Sequence, residues 1–332
     1  MTTAPQDDRD LGRFVYAKEW TPVLGAYLYP LRFFGPERET DPNDYLEVIQ
    51  VARLDSGDVA ITRGGGLYAR MHDNTRSEAE VARVAALLNL IVCELAFRGI
   101  TSSPVTDTDV QMGKLIGHHA SIVGGFGEYG KRNWGPFSLI CSTPTFITRA
   151  GTYWPPNFYW MQTDAAALDD LGRLENAKEL AQVGAHIPAI FSAAISHAAQ
   201  HSVGETIISS WLVCEAILTH VWSTYTSSLE KARKRRLEDF RVYSSAVQLE
   251  TLFTAGLISE SIYSDFHAAR KIRNELAHNT KMSLNGAAQA VQALFSALRL
   301  LNVDTRLLPG FGFMGGGIGL PENTLEPVFD FR

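Results

Sequence analysis

At 332 residues, 45% hydrophobic and 20% charged, the chain has room for two domains and enough apolar side chains to bury a real core. Its formal net charge of -6 excludes a protein coated in nucleic acid, although a local basic site remains open. Its three cysteines, Cys93, Cys141 and Cys214, lie far apart, which fits neither a disulfide framework nor a zinc ligand set and predicts buried free thiols.

The first residues, MTTAPQDDRDLGRF, are polar and acidic with no apolar core, so no signal peptide is expected. Residues 13–162 mix strand-like runs with Gly and Pro turns: YLEVIQVARL, DVAITR, HHASIVGG, FSLICS and FYWMQT. One helix interrupts them, from about Ser77 to Phe97, opening on a capping-box pattern at Thr75-Arg-Ser-Glu78. The most apolar run, VAALLNLIVCELAF, contains Asn89 and Glu94 and is too short to span a bilayer, so the expectation is a soluble, cytoplasmic protein without membrane contact.

From about Ala165 the texture becomes helical. Predicted helices cover 167–201, broken near Gly184 and Pro188, then 204–228, 231–255, 259–278 and 286–302. The second is nearly apolar all round and should be central to a bundle. Residues 165–305 therefore read as an all-α domain after the mixed domain at 13–162, and 306–332 as a Gly-rich tail; the fold class expected is α+β.

The stretch RKIRNELAH, Arg270 to His278, concentrates polar chemistry on one of these helices. Ile262, Phe266, Ala269, Ile272 and Leu276 mark its buried stripe, whereas Arg270, Asn274 and His278 recur every fourth residue on another face. Arg273 stands five residues from His278, about 140° around an ideal helix, so the pair converges only if the guanidinium reaches across or the helix end loosens. On spacing alone two readings stand: basic residues complementing the helix dipole, or a phosphate-binding centre.

Arg273-Asn274-Glu275-Leu276-Ala277-His278 resembles the Arg-Asn-x-x-x-His signature of the HEPN superfamily, and the resemblance covers about residues 190–302. It implies a helical bundle acting as a metal-independent endoribonuclease, a toxin or antiphage effector, leaving 2′,3′-cyclic phosphate and 5′-hydroxyl ends. By resemblance His278 is the acid or base, Arg273 the phosphate clamp and Asn274 the positioning residue. These types suit the chemistry, because imidazole titrates near neutrality and guanidinium forks onto phosphate oxygens. Also implied are a homodimer with a composite site, RNA as substrate, no cofactor or metal, and an antitoxin or defence complex as partner. Glu215 matches the acidic residue inside the family's apolar helix. The same resemblance admits a non-catalytic module that binds nucleotide or RNA, or only dimerises.

Other stretches carry weaker signals. Arg270 and Lys271 beside the motif, and Arg235 and Arg236 in EKARKRRLEDFR, are candidate RNA-backbone contacts, with a solvated helix face as the plainer reading of the latter. Gly125–Gly130 and Gly310–Gly315 match a dinucleotide glycine pattern but lack its strand-turn-helix context and acidic partner. His197, His201 and Glu205 have metal-like helical spacing, interrupted by Gly204. His118 and His119 are adjacent in a strand-like run and point to opposite faces. YWPPNFYW reads as core or as a seam between domains, with base stacking as the sharper alternative.

Overall fold

Strands in the first half and helices in the second make the protein α+β in a computed structural model that describes residues 21–28, 31–34, 47–72, 76–116, 119–122, 161–164, 168–227, 229–239, 241–279, 282–305 and 308. The strand expected at 137–142, the aromatic run at 153–160, both glycine patterns, His118, Cys141 and the tail from 309 lie outside these residues. The chain divides into two compact units, Met1–Leu95 with Val105–Leu174, and Ala96–Pro104 with Glu175–Arg332.

In the first unit, strands β1 (Thr21–Tyr27), β3 (Val48–Ala52), β4 (Val59–Thr62), β5 (Gly66–Arg70), β6 (Gln111–Ile116) and β7 (His119–Ile122) form one antiparallel sheet in the order β3-β4-β5-β1-β6-β7. β2 (Leu31–Phe34) pairs in parallel with β8 (Met161–Asp164). Val23, Val48, Ala60, Tyr68 and Leu115 gather on one face of the larger sheet as a buried cluster. The sequence reading missed β1, β2, β5 and β6. In β1 and β5 the cause is glycine, taken as turn punctuation where it makes room for a ring. Gly25 is the register partner of Tyr68. A Cβ at Gly25 or Gly66 would come within 2.5 Å of the Tyr68 ring. The fully buried tyrosine therefore needs both glycines beside it.

Helix α1 (Glu78–Phe97) starts within a residue of the expected Ser77 and ends at Phe97 as expected. Ser77 supplies a cap, its hydroxyl accepting from the Glu80 backbone N–H at 3.2 Å; Thr75 of the expected box lies outside the described residues. The Glu80 carboxylate turns back to accept from the His72 backbone N–H at 2.8 Å and pairs with Arg83 at 2.7 Å. Arg83 also donates to the Arg70 and Ser56 carbonyls, tying α1 to the end of β5 and the turn before β4. Two turns on, Asn89 closes both hydrogen bonds on the Val105 backbone, at 2.7 and 2.8 Å.

The second unit holds α2 (Glu175–Val183), α3 (Ile187–Ala199), α4 (Val203–Ser227), α5 (Lys231–Leu237), α6 (Ser245–Thr254), α7 (Glu260–Asn279) and α8 (Leu284–Arg299). α4 is the hub, packed by α3, α8, α7 and α6. It is not covered all round as expected, since Ile208 and Leu212 are half exposed. The predicted helix 231–255 is in fact two. The Trp222 indole N–H donates to the Leu237 carbonyl at 3.1 Å, and the Asp239 carboxylate takes the backbone N–H and guanidinium of Arg241. These side chains capture backbone groups that a continuous helix would use itself. The break near Gly184 falls where expected, with Pro188 in the first turn of α3. Cys93 and Cys214 are free and buried. Burial pushes both thiols up, with Glu94 adding to it at Cys93 and Asp265 and Glu215 at Cys214.

The Glu80 knot carries a pH signature. The Arg83 hydrogen bond, helped by the His72 N–H, holds the Glu80 carboxyl at about 2, below the ordinary 4.5. A depressed folded-state value means stability that is present above pH 4.5 and lost as pH falls towards 2. Glu80→Gln should therefore cost about 1–3 kcal/mol at neutral pH and flatten the acid limb of stability between those values, measured as urea midpoint against pH.

Candidate helical functional site

α7 follows Ser259, whose backbone carbonyl accepts from the Tyr263 N–H at 3.0 Å. Its inner side is fixed by Phe266 and Ala269, both without solvent exposure. Beside them the Asp265 carboxylate accepts from the Ser296 hydroxyl at 2.5 Å and the Gln292 amide at 3.5 Å, both on α8. Ile272 lies against Gly286, where an added Cβ would stand 3.2 Å from its Cγ2. Ile262, Ile272 and Leu276 are half-buried, so the apolar stripe is as expected in position and shallower towards its ends.

With that rotation set, the opposite side presents a shallow surface cavity of about 300 Å³ lined by His267, Arg270, Lys271, Asn274, Glu275 and His278. All six belong to α7. Three of the predicted residues, Arg270, Asn274 and His278, thus share one face, with Lys271 beside them. Lys271 pairs with Glu275 one turn on at 4.0 Å, an exposed ion pair that contributes little to stability. The Arg270 Nε is shielded from solvent and makes no hydrogen bond among the described residues.

Arg273 is the exception. It is exposed and does not line the cavity; its guanidinium donates to the Asn274 Oδ1 at 3.0 Å. α7 stays helical through Asn279, so the helix end does not loosen at His278, and the separation of about 140° persists. Arg273 is bonded to Asn274, which lines the cavity together with His278.

The remaining candidates lie elsewhere. Glu215, on α4, accepts a hydrogen bond from the Ser245 hydroxyl and lines a different cavity of about 480 Å³ with His186 and His220. Arg235 and Arg236 are exposed on α5, which packs on α4 and buries none of its own residues. His197 ends α3, His201 has φ of 57°, and Glu205 opens α4, so the three do not share a helical face. Among the described residues no cluster of His, Cys, Asp and Glu could hold a metal ion, and no helix is long and apolar enough to cross a membrane.

Sequence reasoning missed His267 and Tyr263. The signal was present: 263, 267, 270, 274 and 278 run at steps of four, three, four and four along one stripe. Tyr263 stacks on Phe253 of α6 with ring centroids 4.5 Å apart, and His267 follows at 6.1 Å. The Tyr263 hydroxyl donates to Glu250 at 2.5 Å, and this bond to a carboxylate holds its phenol above the ordinary 10.0.

No family model, curated protein or solved structure matches this chain.

The Asp265 anchor is testable apart from any activity. Asp265→Ala should lower the unfolding free energy by about 1–3 kcal/mol, because it leaves the Ser296 hydroxyl and Gln292 amide without their acceptor. Ser296→Ala should cost less, and the double variant less than the sum of the two, measured by urea denaturation.

Proposed function

We propose that the protein is an endoribonuclease of the HEPN type whose working surface is the outer face of α7. The observation that carries this reading is the convergence of Arg270, Asn274 and His278 on one cavity, with the Arg273 guanidinium held to the same asparagine. In the cleavage step the 2′-hydroxyl of the substrate attacks the adjacent phosphorus as its proton is taken up. The bond from phosphorus to the 5′-oxygen breaks, and that oxygen receives a proton. The products are a 2′,3′-cyclic phosphate and a 5′-hydroxyl. His278 is exposed and sterically free to serve as one of the two proton carriers. Arginine supplies permanent charge for the oxygens of the crowded phosphorus.

A single chain offers one histidine and one asparagine-tethered arginine at the motif, and two proton transfers are needed. A second copy facing the first would complete the set. We therefore assign the activity to a homodimer, held in check by an antitoxin or defence partner in the cytoplasm. A second reading is favoured by one specific observation, the exclusion of Arg273 from the cavity that holds His278. On that reading the α7 face binds RNA or a nucleotide without cutting it.

Labelled single-stranded RNA incubated with the full chain in EDTA separates the two. Cleavage that survives the chelator and falls at least about 100-fold in His278→Ala supports the nuclease. Arg273→Ala should lose a similar factor while still binding RNA. Intact RNA under all conditions, with binding retained, selects the second reading, and a strictly monomeric protein removes the composite site.

A further inference from the structure

The polar face of α7 does not end at Arg270. One turn towards the helix start stands His267, which lines the same cavity and is exposed, and behind it come Tyr263 and Phe253 in a row of rings. Phe253 stacks on half-buried Tyr263, and Tyr263 neighbours His267, so the histidine is the last ring of the row and the most exposed of the three. The span from His267 to Asn274 is seven residues, roughly 10 Å along the helix axis. The charge also changes along this span. Arg270 and Lys271 lie at its middle, whereas Tyr263, the middle ring of the row, donates to the Glu250 carboxylate. Glu250 lines a separate shallow cavity of about 360 Å³ with Thr251, Thr254 and Ala255. A phosphate is favoured at the cationic end and disfavoured near the carboxylate, whereas a neutral aromatic base is accepted beside it.

The geometry points to His267, backed by Tyr263 and Phe253, as a stacking platform for one unpaired nucleobase of the RNA whose phosphate lies at Arg270, Asn274 and His278. This rests on the reading of α7 as an RNA-binding face. Stacking on an aromatic ring tolerates any base because each has a π-face, but it requires the base to be unpaired. The platform therefore selects single strands and loops over duplex, and contributes affinity that salt does not screen.

The test uses the full chain carrying His278→Ala, so that RNA stays whole, and a set of short single-stranded RNAs in which one nucleotide at a time is abasic. Affinity is read by fluorescence anisotropy. One abasic position should weaken binding about tenfold, and that penalty should vanish when His267→Ala is added. His267→Phe should restore it, which a merely structural role for the imidazole would not. Tight binding with no sensitive position, or an equal penalty with and without His267, overturns the platform and leaves the RNA reading standing. Absence of binding to every oligonucleotide overturns both.

Discussion

The rotation of α7 about its own axis decides which of its side chains are buried and which line the surface cavity. A helix with a purely apolar inner stripe can roll by tens of degrees at modest cost, because dispersion contacts are not directional. Here the inner stripe includes a carboxylate. Asp265 finds its donors only where Ser296 and Gln292 stand, four residues apart on α8. An unpaired carboxylate at this half-buried position would cost far more than a displaced methyl group. Phe266 and Ala269 then fall into the core, and Arg270, Asn274 and His278 are left outward. The polar face inherits its orientation from a bond on the other side of the helix. α4 supplies the rest of that seat, since it packs against both α7 and α8.

That fixed rotation has a consequence for the proposed chemistry. With α7 helical through the whole motif and the Arg273 guanidinium held at Asn274, Arg273 does not line the cavity that Arg270 and His278 share. Asn274 directly follows Arg273 in sequence and accepts from its guanidinium. It is best understood as the hinge of the arrangement: it shares the cavity with His278 and holds Arg273 at its rim. In the proposed chemistry part of the charge for a phosphate at His278 comes from Arg270, whose Nε is shielded and makes no hydrogen bond among the described residues. The guanidinium is thus partly desolvated before any ligand arrives, which strengthens its interaction with an anion.

Much of this was legible in the sequence, and the failures are instructive. Helical periodicity located α7 to within a residue at either end, because a long amphipathic segment repeats its signal many times. The strands β1 and β5 went unread because Gly25 and Gly66 carry a tertiary message, the space needed by Tyr68, in a residue type whose local meaning is a turn. The split between α5 and α6 was hidden for the same kind of reason. Its cause is an indole from α4 and a carboxylate that folds back on its own backbone. In the candidate site the arginines, asparagine and histidine were found by motif, whereas His267 was overlooked because it matches no motif. Its role comes from its neighbours in space, Tyr263 one turn away and Phe253 on another helix.

Electrostatics limits how far charge alone can carry the proposed binding. The chain has a net charge of -6, and on the α7 face Lys271 is shared with Glu275. Arg270 and Arg273 are the cations without an acidic partner at similar range among the described residues, and only Arg270 lines the cavity. A face of this kind neutralises about two phosphates per chain, which implies a shallow dependence of affinity on salt. Proteins that hold nucleic acid mainly by counterion release present many more. If RNA is held at α7, the larger part of its binding free energy must come from contacts that salt does not weaken. The surface we propose for such contacts is the row of rings that runs from α6 onto α7 and ends at His267.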